Sequence, residues 1–448
     1  MSIGFWFRKD LRVQDNQALT HAASICGDSE LSPFFVFDPS FSSLSGIRQH
    51  SRVESVRSLG SSLPKGISIL TGELEAAIAG FASSRGLKKI VATRAFDTRG
   101  MLQQAAVAEA LYSAGVSLEL VGSNYAIEPG TVRKDDGTPL KVYTPFYKRW
   151  MGHQIPAPFK LDPGSVKWAN SEGDIPVPSA PSPFAIRASE TFALETFKKF
   201  QKRALAEYAD GRNRTDLSGT SHLSHALAHG EIHPRTLLAQ LGDSKGEEVF
   251  RKELVWREFY ADVMFHNPHT LDDYFEPRFA KMRYESEINN SLLEAWYEGK
   301  TGYPMVDAAM RQLQATGWMH NRARMIVASF LVKDLHLEWQ VGARWFERWL
   351  TDFDPASNSH GWQWTAGCGT DASPYYRVFN PVLQGYKFDP NGDYVRKYIP
   401  ELRHIPGPEV HEPWKLIDGL ANGYPAPIVD HHHERDEALA RLEEIKQS

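Results

Sequence analysis

Along the first 130 residues the apolar positions alternate between two periods. Short apolar runs at 4–7, 34–37, 67–70, 90–92 and 118–121 are too brief for helices and too continuous for half-exposed strands, so they predict buried strands. Between them apolar positions recur at helical spacing, as over 73–84 and 102–113, with Gly86 and Gly115 close behind as stop signals. Strand and helix alternating in this way predict a doubly wound parallel sheet with right-handed crossovers. From 154 to 183 the pattern collapses into seven prolines among Gly, Ser and Asp, which reads as an extended connection. Helical periodicity returns from about 189, over 192–208, 247–265, 291–297, 307–316, 321–333 and 342–351, and 438–446 adds a last amphipathic helix. The expected fold class is α/β plus all-α: an α/β unit over 1–130, a linker over 131–190 and a helical unit over 191–448.

Composition narrows the class. The chain has 448 residues, enough for two or three domains with real cores. No stretch approaches the 18 or so apolar residues of a membrane span, and charges at the start stand where a signal peptide needs an apolar region, so a soluble, cytoplasmic protein is expected. Two cysteines, Cys26 and Cys368, cannot build a disulfide framework or a Cys-rich metal site. The net charge of −5 does not exclude a nucleic-acid partner, because a basic groove acts locally. Residues 401–448 alone hold ten acids against five Lys or Arg and account for the whole excess. Nine of the twelve tryptophans lie at or beyond Trp256, which puts the work of the aromatics in the second half.

Several motifs are decoys. The Gly-Lys-Thr at 299–301 lacks the glycine a P-loop needs five positions earlier, where Glu294 stands. No GxGxxG follows the first strand, although the domain otherwise invites a dinucleotide. His431, His432 and His433 diverge on a helix without a fourth ligand at metal spacing; they read as a solvated helix start, and no metal site is expected.

Four segments carry candidate chemistry. Tyr208 to Arg212 precede Gly219, Thr220, Ser221, His222, Leu223 and Ser224. Hydroxyls and free amides at a helix start suit a phosphate, although an ordinary serine N-cap is the commoner reading of that segment alone. On a helix, Glu253 is one turn from Trp256 and Arg257, a pattern shared with structural ion pairs. In 317–325, Asn321 and Met325 share a face from which Arg322 and Arg324 diverge. Asp352, Asp354, Asn358, Trp362 and Trp364 fall within thirteen residues that read as irregular, Pro/Ser/Gly-rich chain, followed by Asn380 to Gln384. Polar and aromatic groups on loops between helices are where ligands sit.

Together these segments resemble the photolyase/cryptochrome family. The resemblance begins at WFRKDLRVQDN over 6–16, runs through GYPMVDAAM over 302–310 and WMHNRARM over 318–325, continues over 358–388 and ends at PIVD over 427–430. Within the family the chain is most similar to the bacterial class I type acting on cyclobutane pyrimidine dimers. The resemblance implies FAD, folded into a U in the helical unit, with Tyr208 and Thr220 to Ser224 at the diphosphate. It implies Arg257, Asn321 and Arg324 along the flavin, Asp352 and Asp354 at the ring edge and adenosine, and Arg324 paired with Asp352. In the family the α/β unit holds a second, light-harvesting chromophore, folate or deazaflavin or a flavin, or none at all, and the resemblance leaves both its presence and its kind open. RAFDTR over 94–99 lies where such a ligand rests.

Members either repair ultraviolet-damaged DNA or sense light. Asn358 matches the position facing flavin N5, where plant-type sensors carry an acid, and a neutral amide there points to repair. Enzymes for (6-4) photoproducts place histidines where Asn321 and Met325 stand, so a cyclobutane dimer is the expected lesion. The resemblance places Trp256 and Trp364 against the two pyrimidines and Glu253 on a thymine edge. It places Arg212, Arg322 and Gln384 on DNA. The implied reaction is light-driven electron transfer, without an obligate protein partner and from a monomer. The rival readings are a photosensor without repair and a light-independent flavoprotein redox enzyme. Trp362 and Trp339 match the two inner positions of the family's tryptophan relay, whereas the outermost position falls at Glu285 or Ser286. Trp345, close to Trp339 in sequence, is then favoured as the exit over Tyr284.

Overall fold

The structure, a computed structural model, describes residues 2–179, 186–288, 290–371 and 376–447. Pro181 and Pro183 of the proline-rich stretch lie outside the described residues. Five strands, β1 (Ile3–Phe7), β2 (Leu31–Phe37), β3 (Ser68–Thr71), β4 (Lys89–Thr93) and β5 (Ser117–Val121), coincide with the five apolar runs. They pair in parallel in the order β3-β2-β1-β4-β5, with Phe5 opposite Pro33 and Val91. The order reverses between β1 and β4, the signature of a doubly wound sheet. Pro33 is tolerated because β2 begins its pairing with β3 only at Phe34.

The helices in chain order are α1 (Gln17–Cys26), α2 (Gly46–Ser62), α3 (Leu74–Ser84), α4 (Thr98–Ser113), α5 (Tyr143–Trp150), α6 (Glu190–Arg203), α7 (Tyr208–Gly211), α8 (Ser224–His229) and α9 (Pro234–Leu238). They continue as α10 (Lys245–His266), α11 (Ser291–Glu298), α12 (Pro304–Thr316), α13 (Asn321–Lys333), α14 (Trp339–Trp349), α15 (Pro355–Ala366), α16 (Pro381–Phe388), α17 (Asp393–Tyr398) and α18 (His431–Gln447).

The chain forms two compact units: 1–206 with 221–268 and 351–354, and 207–220 with 269–350 and 355–448. In the first unit, strand alternation sends Ile3, Phe5 and Phe7 into one core with Leu19, Val53 and Val56, and Trp6 into another with Ile78, Phe81, Val107 and Leu111. Both faces of the sheet are covered, which is why its strands read as continuous apolar runs. The stretch expected as a linker is not free chain: α5 lies in it, and Trp168 is 2% exposed in the sheet's core. Its backbone adds pairs at Leu31 and Ile69.

The second unit is helical, with Trp296, Trp339 and Phe330 among its fully buried side chains. Here three expectations are corrected. The segment read as irregular over 352–364 is mostly α15, because Pro355 takes the helix's first turn, where its missing N–H is not needed. The pattern over 192–208 ends at Arg203 in the first unit, and Tyr208 starts the separate α7 in the second. Of the three histidines opening α18, His431 is buried against Asp334 while His432 and His433 are exposed; Asp430 accepts from the backbone N–H groups of both exposed residues.

Candidate active site

The nominated residues fall in both units, and each set has its own scaffold. In the first unit α10 carries Glu253, Trp256 and Arg257, and a capping box between Ser244 and Glu247 fixes its start. Glu258 holds the helix from behind: its carboxylate accepts from Ala126 N at 2.5 Å, Ile127 N at 3.2 Å and Trp150 Nε1 at 2.6 Å. Burial pushes Glu258 up to about 7, even though these hydrogen bonds pull the other way.

With α10 held, Trp256 lies flat on Tyr143, ring centroids 3.7 Å apart and planes 6° apart. Tyr143 Oη donates to Lys252 O at 2.7 Å. One indole face is thereby occupied by protein, and Phe259 and Tyr260 flank the ring. Sequence reasoning missed Tyr143; the signal was the YTPFYKRW segment of α5, which sets four aromatic residues around a Lys-Arg pair inside the presumed linker.

Arg257 points back into its own unit. Its Nη1 donates to Asn124 O at 3.0 Å and its Nη2 lies 3.8 Å from Asp354 Oδ2. The guanidinium sits 4.5 Å above the Tyr125 ring. Its Nε is buried with no acceptor among the described residues. A buried charged donor in that condition is costly unless a ligand completes it. Asp352 is buried on the short 351–354 segment, where Thr351 O contacts His229 Nε2 at 2.9 Å and Arg48 lies over Phe353.

Ser221 Oγ accepts from Leu223 N at 3.3 Å, and His222 takes a left-handed φ of 54° that turns the chain into α8. The cap of α8 is Leu223, without a side-chain hydrogen bond, so the serine N-cap reading of Ser224 is not what forms. In the RAFDTR segment Asp97 caps α4 and pairs with Lys9 at 3.2 Å.

In the second unit, α7 carries Tyr208 with Arg212 5.9 Å over its ring. Thr220 follows Gly219, which is pressed against Gly211 so closely that an added Cβ would lie 2.7 Å from its carbonyl oxygen. The α13 residues diverge as their spacing implies. Arg322 Nη2 donates to Asn213 Oδ1 at 2.7 Å and its guanidinium lies 4.6 Å from the Phe388 ring, whereas Arg324 Nε donates to Met319 O at 2.9 Å. Asn321 is exposed and Met325 half-buried.

Asn358 and Trp362 are one turn apart on α15, and Asn358 Nδ2 donates to Ala343 O at 3.1 Å, which fixes the amide against α14. Trp362 is 2% exposed and fills the space over Gly342, where an added Cβ would lie 2.0 Å from its ring. Trp364 leaves α15 in another direction, donating from Nε1 to Asp371 O at 3.1 Å. Gln384 is half-buried on α16, whose N-cap is Asn380. Trp339 meets Tyr274, whereas Trp345 stacks on Tyr297; its exit expected through Trp339 is replaced by a different neighbour.

A model of the DNA photolyase family matches residues 3–163, and one of the FAD binding domain of DNA photolyase matches residues 250–444. The deoxyribodipyrimidine photo-lyase of Alkalihalophilus pseudofirmus is 36% identical over 97% of this chain and 96% of its own. A bacterial class III photolyase from Agrobacterium tumefaciens has a similar structure, with a TM-score of 0.90 at 35% identity over 100% of this chain and 98% of its own. A photolyase from Sulfolobus tokodaii, described as holding two FAD molecules with a novel light-harvesting cofactor implied, has a TM-score of 0.84 at 26% identity over 99% of this chain and 100% of its own. The chain belongs to the photolyase/cryptochrome family and contains the family's FAD-binding domain. Among the described residues no helix is long and apolar enough to cross a membrane.

Proposed function

We propose that the chain repairs cyclobutane pyrimidine dimers in ultraviolet-damaged DNA under blue light. When bound and reduced, the flavin supplies on excitation the electron that splits the dimer; the protein binds, orients and excludes water. Arg257 supports this reading, since its buried Nε needs an acceptor and a flavin offers several. Thr220, Ser221, His222, Leu223 and Ser224, with Tyr208, would hold the diphosphate. Asn321, Arg324, Asp352 and Asp354 would line the flavin and adenosine.

The observation that carries repair over light sensing is Asn358. Its Nδ2 is committed to Ala343 O, so the amide presents its other side in one orientation and brings no titratable proton to the flavin. Asn358→Asp tests this: the variant should keep its flavin and lose most of its repair per photon, and repair at the wild-type rate would remove the argument. The repair names carried by the relatives favour the same reading.

Substrate contacts follow. Trp256, backed by Tyr143, offers its remaining face to one pyrimidine, Trp364 takes the other, and Glu253 accepts from a thymine edge. The family resemblance assigns Asn321 and Met325 to the lesion as well. Arg212, Arg322 and Gln384 would hold the DNA around it. Photolyases are themselves standard examples of enzymes that flip a lesion out of the duplex, so that step is carried over from the family. The reading takes a single cytoplasmic chain as the acting unit, which sedimentation of the purified protein checks.

A further inference from the structure

The second unit contains an aromatic path that leaves Trp362 through Trp296 rather than through Trp339. Trp296 meets Trp362 with ring centroids 6.3 Å apart, and Tyr297 follows at 5.6 Å from Trp296. Tyr297 stacks on Trp345 at 4.1 Å and 27°, and Trp349 lies 5.7 Å beyond, one turn along α14. Trp362 and Trp296 are buried, while Tyr297, Trp345 and Trp349 are half-buried. The path therefore runs from the interior to solvent. The outer position of the usual relay falls at Glu285 or Ser286, both exposed and neither able to carry an electron hole.

A second set of rings starts at Trp339. Tyr274 lies 6.3 Å from it and Tyr284 6.4 Å from Tyr274. The two sets differ in what sits on their polar hydrogens. An oxidised indole is acidic and is trapped once a base takes its N–H proton; without a base the hole stays mobile. Trp296 Nε1 donates to Val327 O at 3.1 Å, and a peptide carbonyl is not a base at neutral pH. The indole N–H groups of Trp362, Trp345 and Trp349 are buried with no acceptor among the described residues, as is that of Trp339, so the difference lies at Tyr274. Tyr274 Oη, in contrast, donates to Glu338 Oε1 at 3.1 Å. Oxidation of Tyr274 would pass its proton to that carboxylate and leave a neutral tyrosyl radical in place.

We infer that the relay in this protein leaves through Trp296, Tyr297 and the Trp345–Trp349 pair, an inference that rests on the reading of Trp362 as the inner relay residue. Trp362 gives one electron to the photoexcited oxidised flavin. The hole passes to Trp296 and, by tunnelling across the stacked Tyr297 ring without oxidising it, to Trp345 and Trp349. An external thiol returns one electron there, so one electron moves from thiol to flavin and no indole need lose a proton on the way. Tyr274 with Glu338 is a side trap.

The test uses the oxidised holoenzyme with dithiothreitol, a blue flash and transient absorption of the radical left on the protein. The wild type should show a long-lived tryptophan radical. Trp345→Phe should slow photoreduction by thiol about tenfold or more, the factor that roughly 1.4 kcal/mol of added barrier gives. Trp349→Phe should retain the tryptophan signal, and the double variant Trp345→Tyr with Trp349→Phe should convert it to a tyrosyl signal, which a merely structural role would not do. Tyr274→Phe and Tyr284→Phe should keep the wild-type radical. An unchanged tryptophan signal and rate in the double variant, or loss of the long-lived radical in Tyr274→Phe, would overturn the exit. Radical formation at wild-type yield in Trp362→Phe would instead overturn the reading of Trp362 on which it rests.

Discussion

Replacing Tyr143 separates two roles that the stacked pair combines. Tyr143 is 8% exposed, covers one face of Trp256 at 3.7 Å with nearly parallel planes, and ties its hydroxyl to Lys252 O. Tyr143→Phe keeps the ring and removes one hydrogen bond, which should lower stability by about 0.5–1.5 kcal/mol and leave dimer binding unchanged. Tyr143→Leu removes the stacking partner. An aromatic pair contributes about 0.5–1.5 kcal/mol beyond its buried area, and a Trp256 ring without backing must be re-ordered on each binding event, so affinity for dimer-containing DNA should fall about two- to twelvefold. Undamaged DNA, which does not reach the indole, should bind both variants like the wild type. Competition binding with dimer-containing and undamaged oligonucleotides at one salt concentration reads the difference. Equal loss on both DNAs, or none on either, would refute the positioning role.

Three further outcomes are expected. The native state holds a proton on Glu258 that the unfolded chain releases between its ordinary value near 4.5 and about 7, so this group's contribution to stability falls as pH rises through that window and the loss is complete above it. The stability of the wild type relative to Glu258→Gln should therefore drop by up to about 3 kcal/mol from about pH 5 to about pH 8, measured as melting temperatures of both. Gly342→Ala places a methyl 2.0 Å from the Trp362 ring and should destabilise by about 1–3 kcal/mol through overpacking, with a shift in tryptophan emission. Arg322→Ala should weaken DNA binding and reduce the slope of log affinity against log salt by about one, because one phosphate contact is lost.

The elements were legible where a single period dominates. The five strands and the helices α10 to α14 lie where the apolar spacing puts them, because each buries one face or two against a core. Helix α15 was not, since Pro355, Ser357, Asn358, Ser359 and Gly361 are poor helix formers; packing of Trp362 over Gly342 and the Asn358 bond to α14 override propensity. Tyr143 was hidden for a related reason: a short helix of 8 residues inside a stretch ending in prolines carries too little period to register. The candidate residues were nominated by resemblance, and the geometry adds what spacing cannot. It gives the divergence of Arg322 from Arg324, the backing of Trp256, and the ring sequence from Trp296 to Trp349. Sequence proximity tied Trp345 to Trp339, whereas contact ties it to Tyr297, because residues six apart on a helix point away from each other.

The most direct test of the central claim is illumination of the purified, prereduced protein with an oligonucleotide bearing one cyclobutane thymine dimer, following recovery of the two thymines. Light-driven repair requires recovery that depends on blue light and on bound flavin. Recovery equal in darkness, or none under light by protein with its full complement of reduced flavin, would contradict it.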